Sequence, residues 1–362
     1  MPPPTSEVSV GLIANPAAGH DLRRLVSGAS VSTNHEKLNV VRRLLAGLGA
    51  CGVERVLTMP DASGLTLGLE RAAAHHQVDR DGVWPAVELV EVEVRQTIED
   101  TRAAVAAMTA AGVRVIVVLG GDGTARAVTS TLDDTPLVAL STGTNNAFGI
   151  SADATVAGLA VGLVATGRCP VTAGCHRVKR LDVRVGRRLD HALVDVAVVA
   201  ANGVGARAVW HPSDLRELAV TMAEPGAIGL SAVAAAVAPC GRDEPSGRHV
   251  IVGTGGRRVL VPIAPGLVRT VGVIEAHDLR PDTPVEMRSR TGVVALDGER
   301  EIVLSGEAPV LTLTTEGPLV VDVQRVLALA AAEGWLTRVD QPGANPARAD
   351  GPTSRSGPRR QL

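Results

Sequence analysis

Short apolar runs alternate with amphipathic stretches through the first half of the chain. Val8 to Ala14 (VSVGLIA) is almost continuously apolar and ends in Asn15-Pro16 and then Gly19, which predicts a buried strand entering a turn. From Asn34 to Leu48, Leu38, Val41, Leu44, Leu45 and Leu48 recur at helical spacing with Arg42 and Arg43 opposite, predicting an amphipathic helix that leads to a strand over Val53 to Met59. Thr97 to Ala110 reads as a second helix stopped by Gly112, and Val113 to Leu119 (VRVIVVL) is the strongest strand signal in the chain. A short helix over Ala125 to Leu132 and a strand over Pro136 to Leu140 follow. This alternation predicts an α/β fold with a Rossmann-like parallel sheet covered on both faces.

The pattern changes near Arg168. Beyond it come β-rich pieces joined by short connections rich in Gly, Pro and Asp, from Arg180 to Val185 through Leu319 to Val323, which predict a sandwich-like second domain. A helical insert is expected between about Ser213 and Ala238, and a final helix over Val326 to Trp335. The expected organisation is a nucleotide-binding α/β domain over 1–168, a β-rich substrate or oligomerisation domain over 169–323, and a helix within 324–340 that can return to the first domain. Residues 341–362 have almost nothing to bury and are expected to be a disordered tail.

Composition narrows the function. A chain of 362 residues exceeds one ordinary core, and 45% apolar with 20% charged residues suits a soluble globular protein. A formal charge of −2, one Phe, three Trp and no Tyr offer nucleic acid neither an electrostatic footprint nor stacking platforms. Only Lys37 and Lys179 among the 36 basic residues are lysine, so a phosphate clamp built here is mostly arginine. Cys51, Cys169, Cys175 and Cys240 form no C-x-x-C pair, and the nine histidines are scattered, so no His or Cys metal ligand is expected. The N-terminus has no secretory signal and no apolar stretch reaches membrane-spanning length, so a cytoplasmic protein without a membrane partner is expected.

In an open parallel sheet, ligands bind beyond the carboxyl ends of the strands. Three small-residue loops fall on that edge: Asn15 to Gly19, Gly120 to Thr124 (GGDGT), and Ser141 to Asn146 (STGTNN). Glycine lets backbone N–H groups approach phosphate oxygens, and the helix after the second loop adds the partial positive charge of its N-terminus. A carboxylate among phosphates is repulsive unless it takes a proton or a cation, so Asp122 is either a general base, an orienter of magnesium and its waters, or a helix cap. Arg126 either neutralises phosphate charge or is a solvated helix residue, and His20 to Lys37 is either a lid or a surface excursion. No G-x-x-x-x-G-K-[ST] is present, and Arg126 spoils the dinucleotide fingerprint counted from Gly121.

GGDGT after an apolar strand, preceded by Asn15-Pro16-x-x-Gly19 and followed by Gly143-Thr144-x-Asn146, resembles the nucleotide-binding set of NAD kinases and diacylglycerol or sphingosine kinases. Leu296-Asp297-Gly298-Glu299 is similar to the Asp-Gly-Glu element those families contribute from their β-rich domain. The phrases ANPAAGHDLRRLV, GTNNAF, ALVDVAV and ALDGERE further resemble the acetoin-catabolism X branch of this superfamily, over roughly residues 8 to 330.

The resemblance implies ATP with Mg2+ or another divalent cation in a cleft between the domains. It implies catalytic roles for Asp122 and Glu299, and nucleotide contacts from Asn15, Pro16, Gly19, Gly120, Gly121, Gly123, Thr124, Thr142, Gly143, Thr144, Asn145 and Asn146. Asp195 and Asp297 become candidates for the substrate or cation. The implied activity is ATP-dependent phosphorylation of a small hydroxyl compound, NAD first; the alternatives are a lipid or other alcohol kinase and a non-catalytic nucleotide-binding regulator. The Asn-Glu pair of NAD kinases is replaced by Val194-Asp195, and their Thr-Pro-Thr-Gly-Ser-Thr-Ala segment has no counterpart. By analogy a homo-oligomer, dimer or tetramer, is expected.

Overall fold

A computed structural model describes residues 7–15, 33–79, 83–141, 146–200 and 212–337. Pro16, Gly19, Thr142, Gly143, Thr144 and Asn145 lie outside the described residues, as do most of the expected lid and the whole expected tail.

The strands are β1 (Ser9–Ala14), β2 (Arg55–Thr58), β3 (Ala86–Leu89), β4 (Ile116–Gly120), β5 (Leu137–Ser141), β6 (Cys175–Arg177), β7 (Arg180–Val185), β8 (Arg188–Ala192) and β9 (Asp195–Val199). They continue with β10 (Leu215–Val220), β11 (Gly247–Ala264), β12 (Leu267–Leu279), β13 (Val285–Glu286), β14 (Thr291–Leu296), β15 (Glu299–Ser305), β16 (Val310–Thr314) and β17 (Leu319–Val321). The helices are α1 (Asn34–Ala50), α2 (Leu65–Asp79), α3 (Ile98–Ala110), α4 (Asp122–Thr129), α5 (Ala154–Ala165), α6 (Val171–Gly174), α7 (Ser231–Ala235) and α8 (Val323–Ala332).

Seven strands in the order β3-β2-β1-β4-β5-β17-β6 form one sheet, parallel from β3 through β17. Every residue of β1 and β4 is buried, as expected of strands covered on both faces. α1 turns Val41, Leu44, Leu45 and Leu48 into one core with α5 and α8, and Thr33 and Glu36 close its N-terminus as a reciprocal capping box.

Two antiparallel sheets make up the second unit, ordered β12-β11-β10-β9-β14-β15 and β13-β16-β7-β8. Leu181 and Val183 of β7 and Leu311 and Leu313 of β16 pack against Val196, Val198, Val294 and Leu296 from the larger sheet, which is the core of a sandwich. The other face of the larger sheet is covered by Ala232, Val233 and Ala234 of α7, so β9 is buried throughout.

Two expectations are corrected. Leu215–Val220, expected within a helical insert, is a strand paired to β9 and β11, and only Ser231–Ala235 of that stretch is α-helical. Leu319–Val321, expected in the β-rich unit, pairs parallel to β5 and antiparallel to β6 in the first sheet, where α8 packs beside α5. No helix among the described residues is long and apolar enough to cross a membrane.

Candidate active site

The order of the first sheet reverses between β1 and β4, and a cavity of about 590 Å³ opens beyond the carboxyl ends of these strands. Asn15 after β1, Pro60 to Ser63 after β2, Gln96 and Thr97 before α3, and Gly123 and Thr124 in α4 line it. Glu299 from the second unit completes the wall.

The expected loop Gly120 to Thr124 is mostly not a loop. Gly120 ends β4, Gly121 is the N-cap, and Asp122 opens α4 three residues earlier than the periodicity indicates. Its two outer glycines stand where a side chain would meet a close neighbour. A Cβ on Gly120 would stand 2.6 Å from the Thr124 side chain, and one on Gly123 would stand 2.7 Å from Glu299 Oε1. Thr124 Oγ1 in turn accepts from Asn15 Nδ2 at 2.9 Å, tying the end of β1 to the first turn of α4. Lys37 from α1, fully buried, donates from Nζ to the Asn15 carbonyl at 3.1 Å. Lys37, one of two lysines in the chain, thus braces Asn15 without lining the cavity.

Asp122 does not line the cavity. Its Oδ2 accepts from the Ala147 amide at 2.9 Å and its Oδ1 from the Phe148 amide at 3.1 Å. Arg242 donates to the carbonyls of the same two residues, so the segment after the third loop is gripped from both sides. Asn146 is tied to Ser141 by Nδ2 donating to Oγ at 2.6 Å.

The Asp297-Gly298 turn explains how Glu299 arrives. Both turn residues have positive φ, +50° and +80°, the requirement of a two-residue hairpin, and Leu296 pairs with Glu299 across it. The Asp297 carboxylate accepts amides from Leu193, Val194 and Asp195 at 2.8 to 3.2 Å, and the Asp297 amide donates to the Asp195 carbonyl. Expected to meet substrate or cation, Asp297 is therefore an internal brace, with a side chain of 0% exposure. Asp195 is likewise buried in β9 and does not line the cavity. Burial pushes the Asp297 carboxyl up to about 7, outweighing nearby Arg126 and the amides and reinforced by Asp122.

Arg126 is neither a phosphate contact nor solvated: its side chain is 2% exposed and spans Asp190 and Glu301. Nothing local in the sequence marks those partners. Among the described residues no group of three or more His, Cys, Asp or Glu converges to hold a metal ion.

Comparison with known proteins bears on this geometry. The chain is 41% identical over 344 residues to acetoin catabolism protein X of Cupriavidus necator, covering 92% of this chain and 96% of that protein. The chain belongs to the acetoin catabolism protein X family. Residues 10–168 match the ATP-NAD kinase N-terminal domain and residues 179–316 the acetoin catabolism protein X C-terminal domain. The family thus joins an NAD kinase-type unit, which carries Gly120 to Thr124, to a C-terminal unit of its own type, which carries Glu299. Two solved chains of a provisionally assigned diacylglycerol kinase from Bacillus anthracis str. Sterne are similar at 13% identity, with TM-scores of 0.44 and 0.43. They cover 86% and 88% of this chain and 96% and 99% of their own.

Proposed function

We propose that the chain is an ATP-dependent phosphotransferase with a small hydroxyl compound as acceptor, NAD being the first candidate. The observation that carries this reading is the placement of Glu299 against Gly123, in a cavity at the N-terminus of α4. The first-turn amides of a helix have no partners within it, and their partial positive charge favours an anionic phosphate there. Asn15 and Thr124 hold the rim of that turn in place. Glu299, half-buried and facing the cavity, is positioned to accept the proton of an incoming hydroxyl.

Bound at this edge, ATP would supply the phosphoryl group, and a volume of about 590 Å³ has room for it together with part of an acceptor. Among the described residues no three His, Cys, Asp or Glu side chains converge, so these residues do not form an all-protein cage for a divalent cation. A cation carried on the nucleotide's own phosphates, keeping several waters, agrees better with this donor set.

Asp122, whose carboxylate grips the amides of Ala147 and Phe148, serves this reading as the brace that keeps the two glycine-rich segments together. The test is an acceptor screen with ATP labelled on its terminal phosphate, offering NAD, sugars, nucleosides and lipid alcohols. Label in NADP supports the NAD reading, and label in a lipid alone selects the other kinase class. Tight ATP binding with no transfer to any acceptor overturns catalysis in favour of a nucleotide-binding regulator.

A further inference from the structure

Gly123 and Arg126 stand three residues apart on α4 and so share one face of the helix. Glu299 lies against Gly123, and Arg126 reaches the same hairpin on either side of it. Arg126 Nη2 donates to Glu301 Oε1 at 2.7 Å, and its Nε approaches Asp297 Oδ2 at 3.9 Å. Its Nη1 donates to Asp190 Oδ1 at 3.2 Å on β8, a strand of the other sheet. One turn further along α4, Thr129 Oγ1 meets His191 Nε2 at 2.8 Å and closes the seam.

A guanidinium is planar and presents its donors in a rigid fork, so contacts with two strands and a turn fix the approach and rotation of the hairpin. An exposed arginine would exert no such control. Here burial makes the contacts obligatory, because a buried cation that loses its carboxylates is strongly destabilised. Glu301 is the extra residue of a bulge in the β14–β15 register, two positions after Glu299, so the hold on Glu301 pins the strand at the point where it leaves the turn that carries Glu299. Asp297 meanwhile ties the turn to the amides of residues 193–195.

We infer that Arg126 is a positioning residue that sets Glu299 against the first turn of α4 by holding Asp190, Asp297 and Glu301 across the seam between the two units. The functional half of this inference rests on the reading of Glu299 as the general base for phosphoryl transfer; the structural half does not.

Both halves are tested on the full-length chain with Arg126→Gln, Arg126→Lys and Glu301→Gln. Amide hydrogen exchange of residues 294–301 is measured first, without substrate, with residues 116–120 as an internal control. Turnover is then measured with whichever acceptor the wild type uses. Loss of a charged hydrogen bond corresponds to roughly ten- to hundred-fold in an equilibrium, so Arg126→Gln should speed exchange of 294–301 and lower kcat by about that factor, with the KM for ATP changed less than about three-fold.

Arg126→Lys keeps the charge without the fork and is expected to recover thermal stability but not kcat; a merely structural role would recover both together. Should Arg126→Gln fail to fold, Glu301→Gln removes only the shortest contact and is expected to shift exchange and kcat in the same direction by a smaller factor. Unchanged exchange of 294–301 overturns the inference, and so does faster exchange with an unchanged kcat. If the wild type transfers phosphate to no acceptor, the kinase reading fails, and the exchange result alone decides the structural half.

Discussion

Glu299 fills the space that a side chain on Gly123 would need: a Cβ there would stand 2.7 Å from the Glu299 carboxylate. Gly123→Ala therefore separates folding from chemistry. The obstacle is the far end of a flexible side chain, and alanine favours a helix over glycine by about 1 kcal/mol, so the melting temperature should hold or rise. The displaced carboxylate should cost roughly tenfold or more in turnover, in line with a mispositioned general base. A variant that turns over like the wild type would show that this contact has no part in the reaction.

Asp122 offers a second separation. As a brace, Asp122→Asn loses a charged acceptor for the Ala147 and Phe148 amides, a loss of about 1.5–3 kcal/mol. Stability should fall by that order, and the KM for ATP should rise more than kcat falls. If Asp122 were itself the base, kcat would drop by roughly 10²–10⁴ with KM nearly unchanged. Steady-state kinetics beside a urea melt distinguish the two.

The proton on Asp297 makes stability depend on pH. Its folded value is raised by burial to about 7, above the roughly 3.9 of an unfolded aspartate. A raised folded value means that folding takes up a proton between those limits. The contribution is complete below about pH 4 and is lost as pH rises through about 7. Compared with Asp297→Asn, which has no such proton, the wild type should lose several degrees of melting temperature between pH 5 and pH 8. A difference between the two proteins that stays constant over this range would contradict the assignment.

Much of the first unit was legible because its signals are local. The apolar run of β1 and the amphipathic spacing of α1 each need only neighbouring residues to specify their form. The failures are tertiary. Leu215–Val220 (LRELAV) has helix-favouring residues, yet strands on both sides claim its backbone, and context overrides propensity. Leu319–Val321 is too short to announce which sheet it joins.

At the site, the family resemblance grouped Asn15, Gly123, Thr124 and Glu299, and all four line one cavity. The resemblance could not show that Asp122 turns to amides 25 and 26 residues away, or that Arg126 finds Glu301 across 175 positions. The partners of Asp122 are set by the packing of the segment after β5 on α4 and that of Arg126 by the docking of the two units, neither of which a local pattern records.

The most direct test of the central claim is phosphate transfer from ATP by the wild type and by Glu299→Gln, over pH 5 to 9, with NAD and the other hydroxyl acceptors. The account predicts label in a hydroxyl product for the wild type, and for Glu299→Gln a kcat lower by roughly 10²–10⁴ with ATP binding retained. Equal transfer by the two proteins would contradict it.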